Sequence, residues 1–212
     1  MNFILNPAEI EQKSFSIISE KLNQKQFEPQ NAHVIKRVIH TTADFDYADN
    51  LIFSRGAVKI AKEMLLNGAH IVTDTQMAKS GINKKAASQL GCSLHCFMDA
   101  PEVAEAAEAK KITRAWAAVD RAAEILENPI IFIVGNAPTA LIRLHELING
   151  HVFSPAIIIA VPVGFVNVVE AKELILSLQI PHIVSIGQKG GSNVAAAICN
   201  ALLYEAAGKE MS

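Results

Sequence analysis

The sequence predicts an α/β protein: a doubly wound, mostly parallel five-stranded sheet with helices on both faces and a helical N-terminal segment packed against it. Three observations carry this. Short Ile/Val-rich runs recur without polar alternation, as strands do when both faces of a sheet are covered. Apolar-periodic stretches fall between them, several closing on Asn-Gly or Gly, a usual helix stop. With 50% of its 212 residues hydrophobic, the chain can bury one core, read as a single domain over 1–212.

Residues 7–22 read as a first helix, with Ile10, Phe15, Ile17, Ile18 and Leu22 forming its apolar stripe. A second runs over 29–38 through Val34, Ile35 and Val38, which puts His40, Thr41 and Asp44 at its exit, where unpaired carbonyls favour a cation. A third is expected over 53–66, closed by Asn67-Gly68. The alternation then begins: a strand at 69–74, a small helix near Met77, a helix over 83–90, a strand at 94–97, and one long Ala-rich helix over 101–127 started by Pro101. Strands at 130–134, 156–161 and 182–186 are followed by helices over 138–148, 167–178 and 192–207.

The formal net charge of −2 argues against a nucleic-acid partner, which would call for a basic stripe. Three cysteines make no disulfide framework. The stretch Met1-Asn2-Phe3-Ile4-Leu5-Asn6-Pro7 lacks the basic and long apolar regions of a signal peptide, and no run approaches the ~20 apolar residues that span a bilayer. A soluble, cytoplasmic protein with no membrane partner is expected.

In open parallel sheets ligands bind beyond the carboxyl ends of the strands. Five such ends carry Thr73-Asp74-Thr75, Met98-Asp99, Gly135-Asn136-Ala137-Pro138-Thr139, Pro162-Val163-Gly164-Phe165 and Gly187-Gln188-Lys189-Gly190-Gly191-Ser192. The last brings a cation and glycine amides to a helix N-terminus, which suits a carboxylate or phosphate. It also fits a plain helix start with Ser192 as N-cap. Neither a P-loop nor a G-x-G-x-x-G fingerprint is present, which counts against a nucleotide-dependent enzyme. A further polar cluster, Lys36 to Tyr47, interleaves His40, Thr41, Thr42, Asp44 and Asp46 with apolar residues, so burying the latter draws the polar groups inward. A helix end with a satisfied His and an Asp cap fits it equally. Arg114 reads either as a solvated helix Arg paired with an acid or as a carboxylate contact. Cys92, His95 and Cys96 lack a fourth ligand and lie on a strand whose successive side chains face opposite ways, so no metal site is expected. His33 reads as helix surface, and His70, His151 and His182 fall at strand starts, away from the carboxyl edge.

Arg37-Val38-Ile39-His40-Thr41-Thr42-Ala43-Asp44-Phe45-Asp46-Tyr47 resembles a signature of the precorrin-8X methylmutase family. Thr73-Asp74-Thr75-Gln76-Met77, Gly135-Asn136-Ala137-Pro138-Thr139, Pro162-Val163-Gly164-Phe165-Val166 and Lys189-Gly190-Gly191-Ser192 follow in the same order. The resemblance implies migration of a methyl group from C11 to C12 of a tetrapyrrole to give a corrin, hydrogenobyrinate or its cobalt form cobyrinate. It implies no consumed cofactor, a homodimer with the site near the subunit interface, and transient contact with neighbouring pathway enzymes. The family's catalytic His maps onto His40, as general acid, and Ser14 and Arg37 map onto substrate-binding positions. Arg114 falls in the family's Thr-Arg segment; Thr75, Asn136, Lys189, Gly190, Gly191 and Ser192 are the remaining expected substrate contacts. Gln188 stands where the family pattern has Arg, and Ala115-Trp116 replaces smaller residues. A corrinoid carrier without turnover is the alternative in another class.

Overall fold

A computed structural model describes residues 3–22, 25–127 and 129–208; Met1 and Asn2 of the N-terminal stretch, and the C-terminal residues of the 1–212 domain, lie outside the described residues. The helices are α1 (Pro7–Lys21), α2 (Pro29–Thr42), α3 (Tyr47–Asn50), α4 (Ala57–Leu66), α5 (Gln76–Gly81), α6 (Lys84–Gln89), α7 (Pro101–Lys110), α8 (Arg114–Ile125), α9 (Pro138–Asn149), α10 (Val168–Leu176) and α11 (Ser192–Ala206). The strands are β1 (Leu51–Phe53), β2 (His70–Thr73), β3 (Ser93–His95), β4 (Ile130–Val134), β5 (Ile157–Ala160) and β6 (His182–Ser185). They form one sheet in the order β1-β6-β5-β4-β2-β3. All neighbours are parallel except β1, which runs against β6.

Two expectations are corrected. The sheet has six strands, because Leu51-Ile52-Phe53 is an edge strand where the sequence reading starts a helix. The long helix over 101–127 is two helices: Lys111 takes the left-handed conformation that ends α7, and Thr113 accepts the Trp116 N–H to start α8. Arg114 is therefore the first residue of a helix, not an interior one.

Alternate residues of the central strands feed opposite layers. Ile131, Ile133, Ile157 and Ile159 pack with α2, α4, α5, α6 and α11 on one face. Ile130, Phe132, Val134, Ile158 and Ala160 pack with α8, α9 and α10 on the other. The mostly apolar, unalternating strand sequences are the consequence. On the first face α11 is nearly enclosed: Ala195, Ala196, Ala197 and Ala201 are buried, and their small side chains let α2, α4 and α5 approach closely. Among the described residues no helix is long and apolar enough to cross a membrane.

Candidate active site

The carboxyl ends of β2, β4, β5 and β6 meet as one packed unit. A Cβ on Gly190 would lie 2.1 Å from the Val161 carbonyl oxygen, so only glycine lets the β6 loop rest on the β5 loop. A Cβ on Gly135 would come within 2.9 Å of both Ala195 Cβ and Ser192 Cα, which ties the β4 loop to the start of α11. Thr75 Oγ1 accepts the Ala78 N–H at 3.1 Å, starting α5, and shares a hydrogen bond of 2.8 Å with Ser192 Oγ. Ser192 is thus the first residue of α11 and not its N-cap; its hydroxyl couples α5 to α11.

Asp74, 3% exposed, organises the β4 loop. Its carboxylate accepts the N–H groups of Gly135 at 2.8 Å, Asn136 at 2.8 Å and Ala137 at 2.7 Å. Burial pushes this carboxyl above the ordinary range, and the three donors oppose that shift. The amides of the Gly135-Asn136-Ala137 turn are consequently spent on the protein, leaving Asn136 only its exposed side chain to offer a ligand. The sequence reading placed Asp74 at a strand end without seeing this grip.

Antiparallel β1 brings the 36–47 cluster to the same edge. Its register pairs Leu51 with Ser185 and Phe53 with Ile183, so residues preceding β1 lie beside the carboxyl end of β6. The Ile186 N–H donates to the Asn50 carbonyl at 2.8 Å, continuing the ladder. Across this junction Lys189 Nζ donates to Asp44 and Asp46 at 2.6 Å each. The hydrogen bond from Lys189 holds the Asp44 carboxyl below its usual range, and the two carboxylates hold the ammonium above its own. The acids of the cluster are thus the fastening between α2 and the β6 loop.

His40 lies in the last turn of α2 rather than beyond it, because the helix continues to Thr42 and closes at Ala43 in the left-handed conformation. Its exposed ring stacks on Phe15 of α1, with centroids 5.0 Å apart and planes 10° from parallel. Arg37, one turn earlier, lies over the same Phe15 ring at 4.7 Å and over Tyr204 of α11 at 5.5 Å, and donates to Glu11 at 2.9 Å. With its side chain only 13% exposed, it clamps α1, α2 and α11 together. Ser14, beside Phe15, donates its hydroxyl to the Ile10 carbonyl at 2.8 Å.

The histidines sort themselves by their ring nitrogens. His33 pairs with Glu205 at 2.6 Å and is half-buried, not helix surface. His70 and His95 bond each other at 3.1 Å, His145 bonds Asn149 at 2.9 Å, and His182 meets the Ile180 carbonyl at 2.9 Å. Cys92, beside this strand, donates to the Leu65 carbonyl at 3.3 Å. Among the described residues His40 and His151 commit neither nitrogen to a protein partner; His151 lies before β5 at the amino edge of the sheet, whereas His40 has one ring face braced on Phe15.

Arg114 stands on the opposite face of the sheet from His40, at the same edge. Thr113 reaches the β4 side through a 2.7 Å hydroxyl contact with Thr139, and Arg114 follows as an exposed cation with no ion pair among the described residues. A cation at a helix N-terminus is electrostatically disfavoured, so its presence there is unhelpful to folding. Trp116 packs under Arg143, at 5.5 Å from ring to guanidinium carbon, and Arg143 is tied to Asp120 at 2.6 Å. Between these clusters the β5 loop exposes Val163, Phe165 and Val166, Phe165 to 85%. The site as built therefore combines an accessible imidazole, a rim cation, outward apolar side chains and a glycine loop. Sequence reasoning missed Asp74 as organiser, β1 as carrier, and the apolar loop as surface.

The model of the family described as precorrin-8X methylmutase matches residues 9–205. The cobalt-precorrin-8 methylmutase of Salmonella typhimurium is 44% identical over 209 residues, covering 96% of this chain and 98% of the relative. The precorrin-8X methylmutase of Pseudomonas aeruginosa is 34% identical, covering 97% and 99%. The crystal structure of precorrin-8X methylmutase from Thermus thermophilus superposes with a TM-score of 0.87 at 38% identity, covering 94% of this chain and 98% of that one. With a family match over nearly its whole length and the same fold, the chain belongs to the precorrin-8X methylmutase family.

Proposed function

We propose that the chain is an isomerase of cobalamin biosynthesis that moves a methyl group from C11 to C12 of cobalt-precorrin-8, giving cobyrinate. Family membership supports the reaction class. The cobalt substrate is supported by the relatives of 44% and 42% identity, both named for the cobalt form. The single observation that carries the mechanism is the His40 ring, braced on Phe15 with both nitrogens uncommitted among the described residues.

His40 acts as general acid. It lends a proton or hydrogen bond to the macrocycle while the methyl migrates, so that the conjugated system accepts the electron density left behind. Substrate and product are isomers, so the imidazole recovers its proton and no cofactor is consumed. Phe165, Val163 and Val166 offer an apolar face to the flat ring. Arg114, the Asn136 side chain and the Lys189-Gly190 stretch receive its carboxylate rim, while Arg37 holds the wall behind His40 with Ser14 nearby and the Thr75–Ser192 pair supports the loop. The protein works in the cytoplasm as a homodimer, with the site near the subunit interface, and passes its product to the next pathway enzyme. The absorbance change on corrin formation during incubation with cobalt-precorrin-8 tests this. Steady conversion is expected; tight binding of cobyrinate with no conversion would instead identify a corrinoid carrier.

A further inference from the structure

Lys172 is a buried charge that the reaction above does not use. It occupies the inner stripe of α10 formed by Val168, Ala171, Lys172 and Ile175, a spacing that calls for an apolar residue. Its side chain is 1% exposed. A buried ammonium requires acceptors, and it has two: Nζ donates to the Gly187 carbonyl at 2.7 Å and the Lys189 carbonyl at 2.8 Å. Ser185 Oγ, fully buried, donates to the same Lys189 carbonyl at 2.7 Å. The Gly191 N–H donates to the Val161 carbonyl at 2.8 Å, and the Gly164 N–H to the Gln188 carbonyl at 3.2 Å, so the loop is seated at both ends.

The orientation of the remaining groups follows from peptide planarity. In a trans peptide the N–H points opposite to the preceding C=O. With the Gly187 and Lys189 carbonyls turned in on Lys172, the N–H groups of Gln188 and Gly190 are turned out. Among the described residues neither donates to a protein acceptor. The loop that carries them also carries Lys189, whose ammonium holds Asp44 just beyond the α2 exit.

We propose that Lys172, assisted by Ser185, is a positioning residue for substrate binding: it turns the 187–191 loop so that the Gln188 and Gly190 amides receive a peripheral carboxylate of the substrate. The identity of that anion rests on the tetrapyrrole reading; the loop assignment does not. Of the glycine amides the sequence suggests, Gly190 remains available and Gly191 does not, because it is bonded to Val161; Gln188 is the added donor.

The test uses the intact protein and the variants Lys172→Met, Ser185→Ala and, as a packing control, Ile175→Ala in the same inner stripe. Amide hydrogen exchange at Gly164 and Gly191 reads the seating of the loop without substrate. Exchange at least about tenfold faster in Lys172→Met, with central strand amides such as Ile159 unchanged, is expected. With cobalt-precorrin-8, KM should rise about tenfold or more while kcat stays within about threefold, and Ile175→Ala should shift neither at comparable loss of stability. Unchanged exchange in Lys172→Met, or an equal KM shift in Ile175→Ala, overturns the proposal. If Lys172→Met does not fold, Ser185→Ala decides: a smaller change of the same pattern supports it, and unchanged exchange and KM overturn it. A wild type that converts no substrate refutes the functional reading, whereas loosened exchange in Lys172→Met still carries the loop assignment.

Discussion

Two loops at the carboxyl edge read alike as sequence and are opposite in polarity. After β4, Asp74 gathers the amides of Gly135, Asn136 and Ala137 inward. After β6, Lys172 gathers the carbonyls of Gly187 and Lys189 inward. A buried anion therefore consumes the donors of the first loop, and a buried cation frees donors of the second. A glycine-rich strand end can receive an anion through its amides only when folding leaves them over, which is why the proposed carboxylate site is the β6 loop.

The largest expected effect on stability comes from Asp74→Asn. An amide offers one acceptor oxygen to three donors and turns its own N–H groups toward them. Each buried donor left unsatisfied costs about 1–3 kcal/mol. A loss of about 2–4 kcal/mol in urea unfolding is expected, and a loss below about 1 kcal/mol would mean that the β4 loop does not depend on Asp74.

Lys172 gives the reverse case, with a pH signature. Burial pushes its ammonium down to about 8. The unfolded chain titrates near 10.4, so between those values it binds a proton that the folded chain does not. Stability should therefore rise with pH over that window, on the order of 2 kcal/mol relative to Lys172→Met, with no such rise below it. Thermal or urea unfolding of both proteins from pH 7 to 10 checks the sign.

Arg114 sharpens the contrast from the rim. It is exposed at a helix start, whereas Lys189 is already held by two carboxylates. Arg114→Ala should weaken cobyrinate binding about tenfold, the value of one charge-assisted hydrogen bond, with stability unchanged or slightly higher. Titration calorimetry with the product reads the first and a melting curve the second. The smallest effect belongs to Asp44→Asn, at about 0.5–1 kcal/mol near neutral pH. Because the Asp44 carboxyl is held below its usual range, its contribution is present above about pH 4 and disappears as the pH falls through the folded value. Melting curves of the two proteins should converge in acid.

The parallel core was legible because both-face burial leaves Ile/Val runs that little else produces. β1 was not, since three residues leaving a one-turn helix show no period-two pattern. The break between α7 and α8 was masked by alanine on both sides, although Thr113 before Arg114 carries an N-cap signal. Lys172 was readable as a charge in an apolar stripe, but its acceptors come from a loop fifteen residues away and only the fold shows them. Apart from the family resemblance, nothing in the sequence distinguishes His40 from the other histidines. What does so is tertiary: among the described residues five other histidines have partners for their ring nitrogens, and His151, which has none, lies before β5 at the amino edge of the sheet.

In the proposed mechanism the His40 imidazole is the acid of the methyl migration. Turnover of cobalt-precorrin-8 by the wild type and by His40→Ala, followed side by side by corrin absorbance, tests it most directly. A drop in kcat of about 10²–10⁴-fold with cobyrinate affinity nearly unchanged is expected. Equal turnover by the two proteins would contradict it.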